Sequence, residues 1–152
     1  MNMVSYAHPK HERRKRVTGK AILCVDDEHI VLKSLTTQLA THFGDDFLYE
    51  IAESADDAFE VIEELQEDGL QLLIIVSDWL MPGIKGDEFL IKVHQQFPHI
   101  VKVMLTGQAD EQAIERARQE ANLLACLYKP WDEKELVHVI HRGLEQFHAV
   151  SA

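Results

Sequence analysis

Apolar positions along the chain follow two alternating rhythms. Short runs at residues 21–25, 47–52, 72–76, 101–105 and 123–128 are apolar on nearly consecutive positions, as strands buried on both faces require. Between and after them the apolar residues return every three or four positions, the mark of a helix with one buried stripe. The stripes are Leu32, Leu35 and Leu39; Ala58, Val61, Ile62 and Leu65; Phe89, Leu90, Val93 and Phe97; and Leu136, Ile140, Leu144 and Phe147. Residues 111–120 form a more polar helix with a thin apolar face.

Breakers fall where these rhythms change. Gly44 and Gly69 end the first two helices, Pro82-Gly83 makes a turn, and Pro98 closes the third helix. Ser54 with Asp57 three residues later is a capping-box variant, and Asn122 supplies a left-handed exit from the fourth helix. Five repeats of strand then helix imply right-handed crossovers and a parallel sheet covered on both faces. The expected fold is therefore a doubly wound, five-stranded α/β domain.

In such sheets ligands bind beyond the carboxyl ends of the strands. The residues there are Asp26 and Asp27 after the first strand, Asp78 at the third, Thr106 at the fourth and Lys129 after the fifth. Each has an ordinary alternative as a helix cap, turn starter or solvated charge. Together they place carboxylates, a hydroxyl and an ammonium at one edge. Crowded carboxylates repel one another unless a cation intervenes, and an all-oxygen set suits Mg²⁺, whereas Zn²⁺ would want His or Cys.

Composition narrows the class. Hydrophobic residues make up 46% and charged residues 27%, globular proportions for a chain of 152 residues. The longest wholly apolar strand-like run, 72–76, is far short of the roughly 20 residues that cross a bilayer. No membrane span and a cytoplasmic location are expected. Residues 1–20 carry six Lys/Arg against one Glu, so the remaining 132 residues hold a net −16 of the total −11. That balance argues against direct nucleic-acid binding by the globular domain. Cys24 and Cys126 lie in apolar runs without metal-ligand spacing and are expected to stay reduced.

Four pieces in order carry a resemblance: Val25-Asp26-Asp27-Glu28, Ser77-Asp78-Trp79-Leu80-Met81-Pro82-Gly83, Thr106-Gly107, and Tyr128-Lys129-Pro130-Trp131. Over residues 19–147 the chain resembles the receiver domains of two-component response regulators, phosphoacceptor modules that signal and are not enzymes in the ordinary sense. The resemblance implies a flavodoxin-like sheet of order 2-1-3-4-5. It divides the chain into a basic flexible tail, 1–19, a receiver domain, 20–148, and a short tail, 149–152.

It also implies roles. Asp78 would take a phosphoryl group from a histidine kinase or histidine phosphotransfer protein. Asp27, Asp78 and the Leu80 carbonyl would ligate Mg²⁺ directly, and Asp26 through water. Lys129 and Thr106 would bind phosphoryl oxygens, Tyr128 would switch rotamers, and Lys129-Pro130 would be cis. The expected output is altered binding to an output domain or partner protein, or phosphorylation-dependent homodimer formation. The segment 128–132 also looks like receivers joined to hybrid kinases or cyclic-dinucleotide phosphodiesterases.

The rival reading is a Mg²⁺-dependent phosphohydrolase with an aspartyl-phosphate intermediate. Such enzymes of the haloacid dehalogenase type carry a DxD motif on the first strand and a cap, and neither is written here. Trp79 and Leu80 are bulky enough to shield an acyl phosphate from water. His138, His141, Glu145 and His148 share a helix face by spacing, a stripe more ordinarily solvated than metal-binding. His29 beside the acidic cluster reads as a surface residue.

Overall fold

The computed structural model describes residues 19–108 and 110–151; most of the basic tail lies outside them. Five strands alternate with five helices: β1 (Lys20–Val25), α1 (His29–Phe43), β2 (Leu48–Ala52), α2 (Ala55–Glu67), β3 (Gln71–Asp78), α3 (Gly86–Gln96), β4 (Val101–Thr106), α4 (Glu111–Glu120), β5 (Ala125–Tyr128) and α5 (Glu133–Ser151). All neighbouring strands pair in parallel, in the order β2-β1-β3-β4-β5.

Each face of the sheet has its own core. Leu32, Leu35 and Leu39 of α1 and Leu136, Val139, Ile140 and Phe147 of α5 pack with Ile22, Ile74 and Val103. Ile62 and Leu65 of α2, Phe89 and Leu90 of α3, and Ile114 and Ala117 of α4 pack with Leu23, Ile75 and Met104 on the other. Alternation along the strands delivers side chains to both faces, which is why these runs are apolar throughout. Helix α4 buries only Ala113, Ile114 and Ala117, the thin face its sequence shows.

Local signals act as written. The Ser54 side chain accepts the Asp57 N–H at 3.1 Å, and the Asp57 carboxylate accepts from Glu53 N–H at 3.4 Å. Asn122 has φ 53°. The ladder of β5 starts two residues later than the apolar run: Leu123 N–H still donates to Ala117 of the preceding helix, and Leu124 N–H makes the first bond to β4, at the Lys102 carbonyl. Helix α5 runs to Ser151, past the boundary at 148, and begins close behind Trp131. Both cysteines are free, on strands separated by β3 and β4, and burial pushes their thiols up to about 12 for Cys24 and about 11 for Cys126. No helix among the described residues is long and apolar enough to cross a membrane.

A buried lysine interrupts the second core. Lys102 on β4 is 1% exposed, with Nζ 2.7 Å from His94 Nδ1 and 3.2 Å from the Pro98 carbonyl. Burial lowers its ammonium to about 8. Because the folded value lies below the unfolded one, the native state holds its proton less tightly, and stability rises as pH climbs from about 8 to about 10.5. Lys102→Met should remove that rise and add about 1–2 kcal/mol at pH 7, the result when an apolar side chain replaces a buried charge. Urea unfolding at pH 7 and pH 10 checks both; equal pH dependence in the two proteins would contradict it.

Candidate functional site

The carboxyl edge of the sheet gathers the chemistry. β1 ends at Val25, and Asp26 N–H continues its ladder to the Ala52 carbonyl at 3.1 Å, so Asp26 is locked at the strand mouth and fully buried. Asp27, the next residue, is exposed. Asp78 closes β3 and is 4% exposed, Thr106 closes β4, and Lys129 follows β5, with its N–H donating to the Thr106 carbonyl at 2.8 Å.

Carboxylate oxygens of Asp26, Asp27 and Asp78 lie within 4.8 Å of one another, a grouping that no other set of three or more metal-binding side chains matches among the described residues. Lys129 Nζ donates to Asp26 Oδ2 at 2.8 Å and lies 3.1 Å from Asp78 Oδ1, with Glu28 Oε1 at 3.9 Å. Asp26 Oδ1 accepts the Glu28 N–H at 2.8 Å. Both Asp26 oxygens are therefore engaged, while Asp27 faces solvent. The cleft, about 530 Å³, is lined by Asp27, Asp78, Leu80, Thr106 and Lys129 among others.

Charge balance at the cleft is incomplete. Burial, then the charge of Asp26, pushes the Asp78 carboxyl up to about 6, against the opposing pull of Lys129. For Lys129, burial alone would lower the ammonium, but its bonds to Asp26 and Asp78 outweigh burial and raise it. One ammonium does not neutralise three carboxylates. A hard, oxygen-seeking cation fits the remaining deficit and the donor set.

Thr106 and Tyr128 have contacts of their own. The Thr106 hydroxyl donates to the Gln108 carbonyl at 2.6 Å and accepts its N–H at 3.0 Å, which holds it in a tight local turn. Tyr128 is 46% exposed and points outward. Lys129-Pro130 is cis, and beyond it Trp131 Nε1 donates to Gln38 Oε1 on α1 at 2.7 Å, tying the loop behind Lys129 to the first helix. His29 is exposed and pairs with Glu53.

Two features of the loop after β3 extend the sequence reading. Trp79 lines the cleft yet is only 7% exposed: it packs in the core, donates from Nε1 to Asp87 Oδ1 at 3.1 Å and carries Lys85 Nζ 5.0 Å over its ring. Leu80, 51% exposed, lines the same cleft. Asp87, which also takes Arg116 of α4 at 3.5 Å, and Gly86, whose N–H donates to the Trp79 carbonyl at 2.7 Å, fasten this loop to α3. An acidic residue in a helix's first turn is too common for Asp87 to stand out, and nothing local marks Gly86 as sterically required.

Comparison with known proteins agrees with this geometry. Residues 22–141 match the family described as response regulator receiver domain. CheY-3 of Vibrio cholerae, a chemotaxis protein, is 29% identical over 128 residues, covering 82% of this chain and 92% of that protein. The hydrogenase transcriptional regulatory protein HoxA of Cupriavidus necator is 29% identical over 124 residues. The chain spans only 24% of HoxA's length, and 55% of the transcriptional regulatory protein YhcZ of Bacillus subtilis. Among solved structures, the signal receiver domain of an HD domain-containing protein from Pseudomonas fluorescens superposes with TM-score 0.77 at 26% identity, over 87% of this chain and 99% of that one. With its sheet order, its strand-end residues and the match to residues 22–141, the chain belongs to the receiver domain family of two-component response regulators.

Proposed function

We propose that Asp78 is the phosphoacceptor and that its phosphorylation changes what the face built from α4, β5 and α5 binds. The observation that carries this reading is Lys129 bridging Asp26 and Asp78 at the mouth of a cleft where three carboxylates converge. Of the three, only Asp78 is buried, strand-terminal and in contact with Lys129 without a backbone N–H occupying its partner oxygen.

In the reaction an Asp78 carboxylate oxygen forms a bond to phosphorus as the phosphorus–nitrogen bond of a donor phosphohistidine breaks. The imidazole leaves with the electron pair and takes up a proton. Asp78 must be ionised, which its value near 6 allows at neutral pH. Phosphoryl transfer needs positioning and charge neutralisation more than covalent help. Lys129 moves from a carboxylate partner to a phosphoryl oxygen. Asp27, Asp78 and the Leu80 carbonyl would hold a magnesium ion, with Asp26 acting through water, and the ion would supply the remaining positive charge. The engagement of both Asp26 oxygens by Lys129 and Glu28 N–H supports the indirect role for Asp26.

Thr106 then leaves its turn with Gln108 to donate to the new phosphoryl group, and Tyr128 turns inward into the space vacated. A thinly packed α4 yields to such a bias, and couplings of this kind amount to about 1–3 kcal/mol. The donor is a histidine kinase or histidine phosphotransfer protein in the cytoplasm. The recipient of the signal is an output domain, a partner protein or a second copy of the chain.

The phosphohydrolase alternative is not favoured. β1 ends in adjacent Asp26-Asp27, not DxD, and α1 starts at His29 with no inserted cap. Treatment with an acyl-phosphate donor and Mg²⁺, followed by borohydride trapping and peptide mapping, should place the label on Asp78 alone. Label that persists undiminished in Asp78→Ala would overturn the assignment.

A further inference from the structure

The histidines of α5 share a face by spacing, and the structure gives one of them a partner from another helix. His148 keeps to itself beside Phe147. His141 instead meets His42, in the last turn of α1, with Nε2 atoms 3.4 Å apart, ring centroids 5.5 Å apart and planes at 83°. Both residues are exposed. Phe43, itself buried, backs the pair with its ring 4.8 Å from that of His42 and 5.1 Å from that of His141. Edge and tilted contacts of this kind hold the two imidazoles in orientation. The pair borders an open cleft of about 460 Å³ between α1 and α5, which Gln38, Thr41, Glu133 and His138 also line.

The separation discriminates between two readings. A hydrogen bond between two imidazoles should close to the distance usual for a nitrogen donor, about 2.7–3.2 Å. Two nitrogens at about 2.0–2.1 Å from one tetrahedral ion stand about 3.3–3.4 Å apart. The observed 3.4 Å matches the second spacing. Imidazole ligands suit zinc, copper and nickel rather than magnesium, so this cleft and the acidic one select different ions. The two clefts share no lining residue.

We infer that His42 and His141 form a binding site for a divalent transition-metal ion of the zinc, nickel or copper class, which clasps α1 to α5. Among the described residues no third His, Cys, Asp or Glu closes on the pair as the three aspartates close on one another, so water fills the remaining positions. Sequence alone conceals the site because its two principal ligands lie 99 residues apart, and only packing of the first and last helices on one sheet face brings them together.

The test titrates Zn²⁺ calorimetrically into the full chain with Mg²⁺ held saturating, so that the acidic cleft is already occupied. Wild-type protein should take up one equivalent with a thermal midpoint that rises with zinc. His42→Gln and His141→Gln should each weaken that uptake at least 10-fold and erase the rise in midpoint while leaving the far-UV circular dichroism unchanged. His148→Gln should bind as wild type does. Nitrogen NMR of the imidazoles should show Nε2 of both His42 and His141 shifting with zinc. Absence of uptake by wild type, or uptake that survives both substitutions at full strength, overturns the proposal.

Discussion

Asp78→Asn is expected to make the metal-free protein more stable, by about 2–3 kcal/mol at pH 7.5. Removing a charge from a buried ion pair usually destabilises, because its partner is left unpaired. Here Lys129 keeps Asp26 at 2.8 Å, and the lost carboxylate is one its surroundings resist. Burial and Asp26 hold Asp78 near 6 against an ordinary value of 3.8. A rise of about two units corresponds to about 3 kcal/mol of preference for the protonated form. The folded value lies above the unfolded one, so the native state binds the proton more tightly. Its contribution is fully present below about pH 4, is lost as pH rises to about 6, and stays lost above. The difference between variant and wild type should follow the same course, near zero at pH 4 and flat above pH 6. Mg²⁺ should narrow it, since an ion bound only by the native wild-type cleft stabilises that protein alone. Urea midpoints across this range, with and without Mg²⁺, decide the matter. A variant no more stable than wild type at pH 7.5 would show that the carboxylate cluster carries no strain.

Gly86→Ala should cost about 3 kcal/mol or more and depress phosphorylation with it. A Cβ at Gly86 would stand 2.7 Å from Trp79 Cα and 3.0 Å from the Asp78 carbonyl carbon, and would press on the Asp78 carbonyl oxygen. All three are backbone atoms, so no rotamer change relieves the clash, and overpacking of this kind forces the chain itself to move. The chain that must move carries Asp78. Gly107→Ala is the matched control: nothing lies within 4 Å of a Cβ there, and its stability should stay within about 0.5 kcal/mol of wild type. Denaturation of both variants, with labelling rates from an acyl-phosphate donor, separates the two. Equal behaviour would mean that α3 does not pack against the acceptor strand as tightly as the distances require.

The strand ends were legible because two periodicities meet there. A run apolar on every position can only be buried on both faces, and the first polar residue after it marks the edge where Asp26, Asp78 and Thr106 emerge. Contacts between elements were not legible. Lys102 sits inside an apolar run as though it were a surface residue, yet its side chain turns inward to His94 and Pro98, which no local pattern specifies. Trp79 reads as loop bulk because its anchor, Asp87, is eight residues on and looks like ordinary first-turn acid. The start of β5 also escaped the pattern, since Leu123 is apolar enough for a strand while its N–H still serves α4.

The tight turn from Gly19 into β1 places the beginning of the described chain beside Gln71, whose N–H reaches the Gly19 carbonyl at 2.7 Å, at the amino edge of the sheet. Phe147 in the closing turns of α5 meets His99, just ahead of β4, with ring centroids 6.2 Å apart, so the last helix finishes at that same edge. Both attachment points thus lie a full strand length from the acidic cleft. A fluorophore or affinity handle fused at either point would leave the acidic cleft sterically open, and a donor–acceptor dye pair divided between them would start from a short separation, well suited to reporting loss of the folded state.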